Sequence, residues 1–244
     1  MTWAVTLDFH NTIAHCDEWF NLEVYDLVPA YLNWRHRTLG LSPEPGHIDR
    51  GKRRYRELRQ RVMDTGLELD AAESLELVLQ TLDVDASPDD VARALIEIFR
   101  PTVDSARPIP GVVESVKRLH AAGVRLAVVS SAAYHPFLEW TLEGFGIRQH
   151  FEVILTSAST GHYKSTPKIY EAALNILDIL ASACIHIGDS ERFDVVPARE
   201  LGINTVLFAN GADVDTITTA DLRVSTLVDL PSRLRDTFGM NIDF

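Results

Sequence analysis

The chain is short of cysteine, of lysine and of long apolar runs. Its 244 residues contain two cysteines, Cys16 and Cys184, which can form at most one bridge; a disulfide scaffold is excluded, and idle thiols in a reducing compartment are expected. No stretch approaches the ~20 apolar residues of a membrane-spanning helix. A strand-like run starts within three residues of Met1, where a secretory leader would need its basic and apolar regions. A cytoplasmic protein without membrane contact is the expectation. Internal repeats, low-complexity segments and a collagen-like glycine period are absent too. Positive charge is scarce, at 23 basic against 35 acidic residues and a net charge of -12, which repels phosphate backbones and speaks against broad nucleic-acid binding. Nineteen of the basic residues are arginine, leaving Lys52, Lys117, Lys164 and Lys168. A lysine in a polar loop therefore carries more meaning than it would in a lysine-rich chain.

What remains is an ordinary globular composition, 46% hydrophobic, long enough for one or two domains. Five short runs rich in Val and Ile predict strands buried on both faces: Trp3 to Leu7, Val124 to Val129, Phe151 to Leu155, Cys184 to Ile187 and Ile203 to Phe208. Helical patterns at Phe137 to Phe145, Pro167 to Leu177 and Val195 to Leu201 separate the last four. Strand and helix in alternation predict an α/β fold with a Rossmann-like parallel sheet. Between the first strand and the second, from about Ala14 to Ser105, no strand is predicted. Helices are expected near Val28 to Leu39, Arg50 to Met63, Asp70 to Leu82 and Pro88 to Arg100, the last capped by Ser87 with Pro88 in its first position and Pro101 as its stop. The domain reading is a core of residues 1–13 and 106–244, with an all-helical insert at 14–105.

Four constellations fall at expected strand ends, where open α/β sheets bind their ligands. Asp8 ends the first strand ahead of the turn Phe9-His10-Asn11-Thr12; it can be a nucleophile or metal ligand, or a turn cap. Ser130 and Ser131 follow the second strand and could cradle an anion with hydroxyl and N–H groups, although serine is common in such turns. Lys164 lies in a loop before a helix, as a point charge for a phosphate or carboxylate or as a solvated side chain. Gly188-Asp189, with Asp194 five residues on, suits Mg²⁺, which uses one or two carboxylates and keeps several waters; the rival is a helix cap.

In that order, the four resemble the motifs of the haloacid dehalogenase superfamily, with the insert at the position of its helical cap of the first type. The resemblance covers about residues 3–13 and 108–230, and Gly188-Asp189 to Asp194 is its most specific part. It implies hydrolysis of a phosphomonoester, a small phosphorylated metabolite, with Mg²⁺ as cofactor and a monomer or homodimer as the working form. Asp8 corresponds to the nucleophile, which becomes an aspartyl phosphate. Ser130 corresponds to the phosphate-binding hydroxyl, with Ser131 beside it; Thr12 matches the threonine that ends the first motif and is counted with them and Lys164 among the expected phosphate-binding residues. Lys164 matches the lysine that holds nucleophile and phosphoryl group together. The metal would be held by Asp8, by the backbone carbonyl of His10 and by Asp189, with Asp194 as ligand or close partner.

The chain departs from the family pattern at His10, where phosphatases of the family carry an aspartate that protonates the leaving group and then activates water. An imidazole can do the same work, and its ordinary pKa near 6.5 provides both protonation forms near neutrality. A metal-independent dehalogenase also lacks that aspartate, but three uncompensated carboxylates speak against it. A phosphonate hydrolase would need an amine from the insert, for which Lys52 is the sole lysine available. A phospholigand-binding protein with little turnover is a further alternative. Seven of the twelve residues from Arg50 to Arg61 are basic, and they form a solvated face, a clamp for an anionic part of the substrate, or a patch that binds a nucleic-acid or protein partner. His186 is expected to be a satisfied core or sheet-edge histidine, and Cys16 and the aromatic residues Trp19, Phe20, Tyr31 and Trp34 are expected to serve packing.

Overall fold

A computed structural model describes residues 2–209 and 217–241; Met1, 210–216 and 242–244 of the expected core lie outside the described residues. In chain order the strands are β1 (Ala4–Leu7), β2 (Ala14–His15), β3 (Arg107–Pro108), β4 (Arg125–Ser130), β5 (Val153–Thr156), β6 (Cys184–Gly188), β7 (Asn204–Phe208) and β8 (Leu222–Val224). Six of them form one parallel sheet in the order β5-β4-β1-β6-β7-β8. Alternate residues of its strands enter two apolar layers. Val5, Leu7, Val128 and Ile187 face one, while Ala4, Ala127, Val129 and Cys184 face the other. This two-sided burial is why the strands read as continuous apolar runs rather than as alternating ones. The strand order reverses at β1, which has β4 on one side and β6 on the other, so the carboxyl ends of these three strands open onto a crevice.

The insert is helical: α1 (Asp17–Asn21), a π-helical turn at Leu22–Asp26, α2 (Leu27–Leu39), α3 (His47–Thr65), α4 (Ala71–Gln80) and α5 (Pro88–Phe99). Local chemistry sets its boundaries. Asp70 and Glu73 form a reciprocal capping box on α4, and the Ser87 hydroxyl accepts the Asp90 N–H at 3.1 Å to start α5. The helices of the core are α6 (Val112–Ala121), α7 (His135–Gly144), α8 (Ser157–Thr160), α9 (Lys168–Ile176), α10 (Val196–Glu200) and α11 (Leu230–Phe238). Among the described residues no helix is long and apolar enough to cross a membrane.

Two features differ from the sequence expectation. β8 is an edge strand of three residues, only one of them fully buried, too short to leave an apolar signature. The region from Ala14 onward is not free of strand, because β2 pairs antiparallel with β3, Ala14 opposite Pro108 and His15 opposite Arg107. That two-residue clasp joins the chain where it leaves the core to the chain where it returns.

Candidate active site

The carboxyl ends of β1, β4 and β6, with the loop between α8 and α9, bring Asp8, His10, Ser130, Ser131, Lys164, Asp189 and Asp194 together, and leave Thr12 outside. The Asp8 N–H bonds to the Ile187 carbonyl at 2.8 Å, fixing the tip of β1 against β6. The chain then turns sharply, with the Ile13 and Ala14 N–H groups on the Phe9 carbonyl and Asn11 at φ 60°, a conformation asparagine tolerates better than most residues. The Lys164 ammonium bonds both to Asp8 and, at 2.5 Å, to Asp194, and all three side chains are buried. Asp194 is held in turn by the Ser190 N–H at 2.9 Å and by His186 Nε2 at 3.2 Å. The other nitrogen of His186 lies 2.8 Å from the Thr6 hydroxyl, and Tyr170 approaches the same ring. His186, expected to be a satisfied core histidine, is one, and Asp194 is among its partners. Gly188 is obligatory here, because a Cβ at that position would collide with the Asp194 carboxyl.

The electrostatics are unbalanced. Oxygens of Asp8, Asp189 and Asp194 lie within 4.8 Å of one another, with one ammonium among them. Burial raises the Asp8 carboxyl, with the Asp194 charge adding to it and Lys164 opposing. Lys164 and His186 hold Asp194 low despite its burial, and the two carboxylates hold Lys164 well above the ordinary lysine range. Asp189 is pushed up to about 7 by desolvation and by the Asp8 and Asp194 charges, with Lys164 and the Asn11 side chain opposing. Three crowded carboxylates and one ammonium leave net negative charge, and this all-oxygen donor set is what a hard divalent cation such as Mg²⁺ takes.

The insert supplies the rest. Asp8, His10, Ser130, Ser131, Lys164, Asp189, Ser190 and Asp194 line a cavity of about 100 Å³ together with Trp19, Phe20, Tyr163 and Phe193. His10 stacks flat on Phe20, with centroids 4.5 Å apart and planes 6° apart, and stands edge to face with Trp19 at 6.0 Å. Its Nε2 lies 3.4 Å from Asp17. Burial holds this imidazole below its ordinary value, with Asp17 opposing, so the acid form is scarcer at neutrality than the sequence alone suggests. Tyr31, Trp34 and Trp19 pack in the interior as expected, Trp19 stacked on Phe137 at 4.8 Å, while Trp19 and the half-buried Phe20 also form part of the cavity wall. Ser130 lines the cavity, and Ser131 also accepts the Lys164 N–H at 3.1 Å. Thr12 is fully buried outside the cavity lining.

The Arg50 to Arg61 stretch resolves into two parts. Arg59 turns inward, buried, and meets Glu68 through two bonds of 2.6 and 3.2 Å. Glu68 also accepts the Ser157 hydroxyl at 2.7 Å. Buried Glu23, from the π-helical turn, accepts the Ala133 and Tyr134 N–H groups at 2.9 and 3.1 Å, just beyond Ser130-Ser131. The loop carrying Lys164 is braced alongside, with the Tyr163 N–H on the Gly66 carbonyl and the Glu68 N–H on the Gly161 carbonyl, both at 3.0 Å. Lys52 instead pairs with Asp26 on the surface, outside the cavity lining. Arg59 was visible in the sequence: it stands in the register of the buried Tyr55, Leu58 and Val62, where a charge needs a partner.

Comparisons with known proteins agree with this geometry. The human protein "Haloacid dehalogenase-like hydrolase domain-containing protein 3" is 28% identical over 217 residues, 80% of this chain and 84% of that protein. A "Glyceraldehyde 3-phosphate phosphatase" of Methanocaldococcus jannaschii is 24% identical over 196 residues, 72% of this chain and 85% of that one. The fold of a 2-haloacid dehalogenase from Pseudomonas syringae superposes with a TM-score of 0.70 at 20% identity, over 97% of this chain and 99% of that one. Residues 4–202 match the family of haloacid dehalogenase-like hydrolases, and the chain belongs to that family.

Proposed function

We propose that this hydrolase is a Mg²⁺-dependent phosphomonoesterase acting on a small phosphorylated metabolite through a phosphoenzyme on Asp8. The observation that carries the reading is the three-carboxylate crevice with Lys164 bridging two of its members. Asp8, Asp189 and the His10 carbonyl would hold the cation, with Asp194 as ligand or neighbour; when bound, it supplies positive charge beside the phosphoryl oxygens. The Asp8 carboxylate attacks phosphorus in line with the ester oxygen, which leaves with the electron pair of the broken P–O bond. Lys164 offsets the charge on nucleophile and phosphoryl group, and Ser130 and Ser131 hold phosphoryl oxygens with hydroxyl and N–H groups. His10 protonates the departing alkoxide, then takes a proton from the water that attacks the phosphoenzyme, regenerating Asp8 and releasing phosphate. Residues 14–105 act as a cap over a core of 1–13 and 106–244.

The phosphatase names of relatives such as the glyceraldehyde 3-phosphate phosphatase support this reading. The dehalogenase alternative is weakened by the charge imbalance, which calls for a cation, and the phosphonatase alternative by the position of Lys52. The expected result is phosphate release from a panel of phosphorylated metabolites with Mg²⁺ and none with a chelator. Halide release from a 2-haloacid in chelator, without phosphatase activity, would replace it with the dehalogenase reading.

A further inference from the structure

The polar half of the cavity is accounted for by the phosphoryl group and its cation, and the other half carries information of its own. It is walled by Trp19 and Phe20 of the insert, and by Tyr163 and Phe193, which meet edge to face at 5.7 Å. Among the described residues lining the cavity, Lys164 is the sole lysine or arginine, and two carboxylates already engage it. Residues 210–216 contain no lysine or arginine in their sequence. Arg192 is the neighbouring cation, and its guanidinium rests on the Phe193 ring, 4.9 Å from the centroid, rather than in the lining. The basic stretch of α3 offers no second receptor within the cavity: Arg59, its buried member, is paired with Glu68.

A second anionic group on the substrate would therefore lie against aromatic faces, whose π-clouds are negative, and near three carboxylates, without a counter-ion and partly desolvated. An uncharged alcohol suffers no such cost and gains apolar contact. We infer that the leaving alcohol is uncharged, seated on Trp19, Phe20, Tyr163 and Phe193, and that this wall rejects phosphomonoesters with a second anionic group. The inference rests on the phosphomonoesterase reading above and narrows its substrate class.

Glycerol 3-phosphate and 3-phosphoglycerate test it, because they differ chiefly in a terminal hydroxymethyl against a carboxylate. With Mg²⁺ present, kcat/KM for phosphate release is expected to be at least 100-fold higher for glycerol 3-phosphate, a ratio in the range that an unpaired buried charge produces. Phe20→Arg, which places a cation on the wall, should narrow that ratio at least tenfold whatever it does to the absolute rate. Arg192→Ala should leave the ratio unchanged. Equal rates on the two esters, or a preference for 3-phosphoglycerate that Arg192→Ala abolishes, would overturn the inference while leaving the phosphatase reading intact. Absence of phosphate release from every monoester of the wider panel would overturn both.

Discussion

His10 is subject to opposing influences that decide how well it can serve as an acid. Burial disfavours the imidazolium, while Asp17 favours it, and the Phe20 stack fixes the plane of the ring. A proton donor in this position matters most to esters whose alkoxide leaves poorly. His10→Ala is thus expected to lower kcat/KM on alkyl phosphates by about 10²-fold, within the usual range of acid–base catalysis, and to cost much less on aryl phosphates. Equal losses on the two classes would assign His10 a structural role, and a wild type inert on all esters would mark a phospholigand-binding protein. That Asp8, His10, Ser130, Ser131, Lys164, Asp189 and Asp194 converge on one cavity was legible from strand-end position and motif, whereas Thr12 lies outside it. Which other side chains touch them was not: Asp17 and Phe20 follow His10 by seven and ten residues, and only the fold of α1 after the β2 clasp brings them onto the ring.

The elements of the insert do more than cover the crevice. Glu23 accepts the N–H groups that follow the β4 serines, and Glu68 and Gly66 brace the loop that carries Lys164. Glu23 is pushed up to about 7 from an ordinary carboxyl value of 4.5, chiefly by burial, with Arg59 opposing. A carboxyl whose folded pKa is raised contributes stability below its unfolded pKa, and loses it as pH rises toward the folded value. The loss integrates to about 3 kcal/mol. The stability of wild type relative to Glu23→Gln, from urea unfolding, should accordingly fall between about pH 4.5 and pH 7, then level off. A difference that stays flat, or rises with pH, would show that Glu23 is ionised throughout, held by Arg59 and the two N–H groups. The helices of the insert were legible because capping residues and apolar stripes are local signals. The π-helical turn that carries Glu23 was not, since it has no such signal and is set by contacts to the core.

On the scale of the whole molecule, the parallel sheet and its crevice follow from alternation of apolar runs and helical patterns, which is why five of the six sheet strands could be read from sequence. β8 escaped because an edge strand three residues long buries too little to need a pattern. The site was legible as a set of strand ends because parallel topology places all carboxyl ends on one side. Its aromatic wall was not, because a buried aromatic in a core and one lining a cavity have the same sequence signature. The central claim is that Asp8 carries the phosphoryl group, and it is tested most directly by rapid quenching with ³²P-labelled substrate in the presence of Mg²⁺. The account predicts a transient, hydroxylamine-labile label on the protein, approaching one per chain, mapped to Asp8 and absent from Asp8→Asn along with turnover. Phosphate release at an undiminished rate by Asp8→Asn, with no label on the wild-type protein, would contradict it.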